Sequence, residues 1–147
     1  MIDFADKFPL FIHLISTIVG FGAVIVIDVW GFLWIINKQK LSQVMSVARV
    51  TQILIWIGFF GLVLSGLFLG AHYDKPRTQL KIGLVILLGI NGLYLEYIKR
   101  WAKKLGDIEF AKAPVMFKVQ IGMASIVSQV GWWGTILIGF LTANRIF

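Results

Sequence analysis

PLFIHLISTIVGFGAVIVIDVWGFLWII, residues 9–36, decides the fold. Only two of its side chains ionise, His13 and Asp28. As a helix it would be ~42 Å long, more than the ~30 Å hydrocarbon core of a bilayer, so it would have to tilt or project into the interface. Pro9 suits the first turn of such a helix. A secretory signal would begin with basic residues and be shorter; Asp3 and Asp6 precede this run, which reads as a retained membrane helix.

Three further apolar runs follow, at 51–71, 80–98 and 115–141, with Pro114 before the last. Each meets the requirement of ~20 residues for a crossing. The expected fold is all-α: an integral membrane four-helix transmembrane bundle forming a single transmembrane domain over residues 1–147. Composition agrees, since apolar residues make up 59% of the 147 and charged residues 14%. A soluble domain of this length could not bury so much apolar surface.

With no cysteine, the chain cannot form disulfides, thiolate metal sites, iron–sulfur clusters or quinone–thiol couples. The net charge of +7 falls in loops, where it reports topology and anionic headgroups rather than nucleic acid. Residues 37–50 read as a polar link whose stretch 41–47 is an interfacial helical turn. Residues 72–78 read as a short turn, and 99–113 as a basic connection with Trp101 at headgroup level. Nine basic residues (Lys38, Lys40, Arg49, Lys99, Arg100, Lys103, Lys104, Lys112 and Lys118) accompany the first and third connections. Five (Lys7, Lys75, Arg77, Lys81 and Arg145) fall on the other side. The positive-inside rule then places both termini outside, in a prokaryotic inner membrane.

Gly58-Phe59-Phe60-Gly61 with Gly66 recurs 73 residues later as Gly131-Trp132-Trp133-Gly134 with Gly139. Leu10, Ile12, Leu14 and Gly22 are echoed more weakly by Leu80, Ile82, Leu84 and Gly92. The pattern predicts a duplicated helical hairpin, with a pseudo-twofold axis along the membrane normal. Close helix packing explains the glycines equally well, as it does the GxxxG spacing of Gly66 and Gly70.

An ionisable group inside a membrane helix costs several kcal/mol and is a functional candidate by default. The candidates are His13, Asp28, Lys81, Asn91, Glu96 and Gln129, with Ser125 and Ser128 as neutral company. His13 lies ~6 Å below the outer boundary, and Lys81 and His72 belong to the same side, so the three could converge on an outer-leaflet site. Asp28 is ~22 Å further along the helix, within reach of Asn91, Glu96 or the Ser125/Gln129 face if the spans are neighbours. His13 suits an axial haem ligand, a metal ligand or a proton carrier, or a plain interhelical hydrogen bond. Lys81 could equally snorkel to the headgroups. Asp28 could be paired, protonated or part of an ion path. Trp30, Trp34 and Trp101 suit the inner aromatic belt; Trp132 and Trp133 lie deeper, as filler or against a flat cofactor. Two histidines are too few for two bis-histidine haems or for a three-histidine zinc site.

A histidine early in the first span (Phe8-Pro9-Leu10-Phe11-Ile12-His13) and a lysine opening the third (Leu80-Lys81-Ile82-Gly83-Leu84-Val85) together resemble the small four-helix membrane proteins of the HemJ-type protoporphyrinogen oxidase and CopD-like group. The resemblance implies functional roles for His13 and Lys81 and, in its oxidase branch, b-type haem with His13 on the iron. The stretch from Val26 to Gly31 departs from that branch, carrying neither arginine nor a second histidine. Three functions are therefore expected: haem-binding redox chemistry, a small oligomeric transporter or ion- or proton-conducting protein, or a non-enzymatic accessory subunit. The expected partners are the lipid bilayer and a second copy or membrane subunit, with no nucleic acid.

Overall fold

The computed structural model describes the backbone of residues 4–69 and 74–143. Gly70, Ala71, His72 and Arg145 lie outside them, and with them the Gly66/Gly70 spacing and the His72 arm of the outer site. Four long helices make up the described residues: α1 (Phe4–Ile35), α2 (Leu41–Phe68), α3 (Pro76–Leu105) and α4 (Val115–Ala143), with a single 3₁₀ turn at Phe110–Lys112. All four are long and apolar enough to cross a membrane. The all-α, four-span architecture is the one expected, and it makes the chain an integral membrane protein. Ile18 is 70% exposed, Phe68 76% and Val115 72%, surfaces that only hydrocarbon solvates without aggregation.

The helix ends differ from the expected boundaries. Residues 41–50 belong to α2, so the helical turn expected at 41–47 is part of an unbroken helix and the connection is only 36–40. Similarly, α3 begins at Pro76 rather than Leu80 and runs to Leu105 rather than 98. Apolarity marks where lipid is, whereas helical hydrogen bonding continues into the polar region until something stops it. After α1, Asn37 takes a left-handed conformation (φ 56°), a role Asn fills more readily than most residues; after α3, Gly106 does the same at φ 68°. Pro76, at the first position of α3, starts it where a missing N–H costs nothing. Pro9 is instead the sixth residue of α1 rather than in its first turn. The Gln43 side-chain oxygen accepts from the Lys40 backbone N–H at 2.9 Å, securing the start of α2.

The chain divides into two compact units: α1 and α2 with the segment Gly106–Lys112, and α3 with α4. In the first, α2 buries Val44, Thr51, Gly58 and Ser65 at intervals of seven, the spacing of a left-handed coiled pair. In the second, α4 buries Phe117, Ala124 and Gly131, each 73 residues beyond its counterpart. The two hairpins are thus built on one plan. A Cβ on Gly58 would lie 2.5 Å from the Gly20 backbone, and one on Gly61 would collide with Ser16 Oγ. In the second hairpin the same positions, Gly131 and Gly134, receive Leu88 and Leu84. Ser16 and Leu84, like Gly20 and Leu88, are 68 residues apart. The α1/α3 register is therefore 68, not the 70 of the weak sequence echo, and buried Gly20, Ala23 and Trp34 fall on buried Leu88, Asn91 and Ala102.

Candidate functional site

His13 is half-buried on the α2-facing side of α1. Its Nδ1 is 2.9 Å from Ser65 Oγ, and the Ser65 hydroxyl donates to the Gly61 carbonyl at 2.6 Å. With its proton spent on that carbonyl, Ser65 offers the ring a lone pair, so Nδ1 carries the hydrogen and donates it. A metal would then have to be taken at Nε2. The His13 Cε1 atom stands 3.9 Å from where a Gly66 Cβ would be, so the ring lies over a glycine.

Lys81 occupies the same place in the second hairpin. It is 68 residues after His13, and its Nζ stands 3.9 Å from the position of a Cβ on Gly139, which is 73 residues after Gly66. Among the described residues its half-buried ammonium has no hydrogen-bonding or ionic partner. Sequence reading singled out both residues; it did not reveal that they are equivalent, because equivalence shows only in the glycines they face.

The other candidates are held locally. The Asn91 side-chain amide donates to the Ala124 carbonyl at 3.0 Å, a buried bond joining α3 to α4. Lys99 Nζ lies 3.1 Å from a Glu96 oxygen one turn away. Gln129 Oε1 accepts from the indole of Trp133 at 2.9 Å. Asp28 is half-buried on α1 and makes a polar interaction of its own. Ser128 is buried, and Ser125 half-buried. Trp132 is 2% exposed while Trp133 is 56% exposed, so the adjacent rings part, one into the hairpin and one outward. Gln120 was not a candidate; among the described residues its Oε1 is the buried side-chain oxygen without a partner. One polar residue near the start of an apolar run carries no sequence signal that would have found it.

At the other end of the first hairpin, Trp34 is almost fully buried and donates its indole N–H to the Ile108 carbonyl at 3.0 Å. The Leu41 N–H donates to the same carbonyl. Trp34 also meets Phe110 edge-on, so this tryptophan clamps the segment Gly106–Lys112. Ser42 donates to Asp107 at 2.7 Å and Lys40 pairs with it at 3.1 Å. The Ser42 hydrogen bond first, then the Lys40 contact, hold the Asp107 carboxyl below the usual carboxylate range.

Among the described residues no group of three or more His, Asp or Glu side chains converges to hold a bare metal ion. A porphyrin brings four nitrogens of its own and asks the protein for one axial side chain or two. An imidazole whose Nδ1 is fixed by a hydrogen bond, as that of His13 is, fits that demand. No protein-family model, no curated protein and no solved structure matches this chain.

Proposed function

We propose that the protein is a membrane redox protein that holds a b-type haem through Nε2 of His13. The observation that carries this reading is the hydrogen bond from His13 Nδ1 to Ser65, itself tied to the Gly61 carbonyl. This chain sets the tautomer and limits rotation of the ring, as the outer partners of ligating histidines do. It also makes the imidazole a stronger electron donor. The low dielectric around α1 and α2 would favour the less charged iron state. A haem would supply one-electron transfer; the chain supplies the ligand, its orientation and a dry setting. Lys81, in the second hairpin, offers a point charge to a ligand carboxylate. A histidine early in the first span and a lysine opening the third resemble, in sequence alone, the HemJ-type and CopD-like group, which supports the same reading.

A conducting path through Asp28, Asn91, Glu96 and Gln129 draws less support, because Asn91, Glu96 and Gln129 already have partners in their own hairpin. Protein purified in detergent and supplied with haemin should show a Soret band that shifts on reduction, and His13→Ala should abolish it. Ser65→Ala should keep the band and raise the midpoint potential, since the ligand becomes a weaker donor. A Soret band unchanged in His13→Ala would refute the assignment.

A further inference from the structure

We propose that the outward face of α3 holds an anionic phospholipid of the basic leaflet, an acyl chain along Ile86, Ile90, Leu93 and Tyr97 and the headgroup phosphate at Arg100, Lys103 and Lys104. Ile86, Ile90, Leu93, Tyr97, Arg100 and Lys104 recur at steps of three or four, so they form one row along the helix. Lys103 stands beside the end of that row. The row lies opposite the face that α3 buries, which carries Leu88, Asn91, Ile98 and Ala102. Its four uncharged members are 58–65% exposed, and the three cations are exposed too. Between Ile86 and Tyr97 the helix rises ~16 Å, close to the ~15 Å of hydrocarbon in one leaflet. The cations therefore begin where the tail of a lipid gives way to its phosphate.

Charge on this same face identifies the occupant. Among the described residues, none of Arg100, Lys103 and Lys104 has an acidic or hydrogen-bonding partner. The carboxylates nearest in sequence are engaged elsewhere: Glu96 lies 3.1 Å from Lys99, and Asp107 lies 3.1 Å from Lys40. Three positive charges within ~6 Å of helix are thus left for a phosphate. The apolar row leading to them suits a lipid tail, which a soluble anion lacks. Tyr94 and Tyr97 stack at this level with centroids 6.3 Å apart, as amphipathic rings do beside headgroups. The first hairpin, built on the same plan, carries the row without the charge. At the register of 68, Phe32, Ile35 and Ile36 of the first hairpin stand where the second has Arg100, Lys103 and Lys104. These counterparts are 41–59% exposed, so the hairpin plan itself does not call for cations here. A tail already in hydrocarbon gains no shelter from water; the selectivity comes from the headgroup contact.

The test uses the full chain, free of native cysteine, with one bimane-labelled cysteine at Leu93→Cys or at its counterpart Ile25→Cys. Each is reconstituted in phosphatidylcholine vesicles containing rising amounts of brominated phosphatidylglycerol or brominated phosphatidylcholine, and bimane quenching is followed. At position 93, phosphatidylglycerol should reach half-quenching at a mole fraction about fivefold lower than phosphatidylcholine, the factor expected of one basic residue at a membrane surface. At position 25 the two lipids should quench alike. Combining Arg100→Gln, Lys103→Gln and Lys104→Gln should equalise the two lipids at position 93 with helicity unchanged. Each single substitution should do so in part, which decides the matter should the triple variant fail to insert. Lys38→Gln, outside the row, should leave the preference intact. Equal quenching by the two lipids at position 93 would overturn the proposal, as would a preference that survives the triple substitution or is as strong at position 25. Weak quenching by both lipids at position 93 would overturn it too, by showing that protein covers this face.

Discussion

At the scale of single residues, the glycines separate two kinds of close packing that look identical as sequence. Gly58 meets the backbone of α1, which cannot move aside without moving the helix; Gly131 meets the tip of Leu88, which can turn. Gly58→Ala should therefore cost ~1–3 kcal/mol or more, the usual range for overpacking, and Gly131→Ala under about 1 kcal/mol. Thermal unfolding in detergent should show a clear loss of Tm for the first and a small one for the second; equal losses would contradict the contact pattern. The recurrence of these glycines was legible because the same residue returns at the same offsets 73 positions later. Their partners were not, since Ser16 and Gly20 in one hairpin correspond to Leu84 and Leu88 in the other. A gap filled by backbone in one copy and by leucine in the other leaves no shared letter to align. His13 and Lys81 were singled out by the cost of burying them, which composition reveals; their common seat over a glycine is a matter of contact.

At the scale of elements, hydropathy located four helices but misjudged their ends. Residues 41–50 and 99–105 are polar enough to resemble loops, yet each adds turns to a helix already nucleated, and extension is easier than starting anew. The segment Gly106–Lys112 was legible only as part of the connection at 99–113. Its anchoring depends on Trp34, which sequence assigned to the interfacial belt and which is instead buried beneath this strap. The strap should respond to acid. Asp107 has its carboxyl held below the usual range in the folded protein, so its contribution is present above the ordinary carboxylate pKa and is lost as pH falls through the lowered value. An acid titration followed by the Trp34 indole N–H resonance should show a step below the ordinary carboxylate range. Asp107→Asn should abolish that step; an identical step in the variant would show that another group governs the strap.

At the scale of the whole molecule, the decisive property is the solvent. Ile18, Ile57, Ile90 and Ile126 are each 59–70% exposed, one on every helix, and no soluble protein of this size would leave four such faces bare. The absence of cysteine gives a clean background for mapping that solvent. Single substitutions Ile18→Cys, Ile57→Cys, Ile90→Cys and Ile126→Cys should not react with a membrane-impermeant maleimide in sealed vesicles, and should react no faster when both faces are open. Lys38→Cys and Lys103→Cys should label from one face, and Asp74→Cys from the other. Rapid labelling of the four isoleucine positions in intact membranes, or labelling of positions 38 and 74 from the same face, would contradict four lipid-embedded crossings.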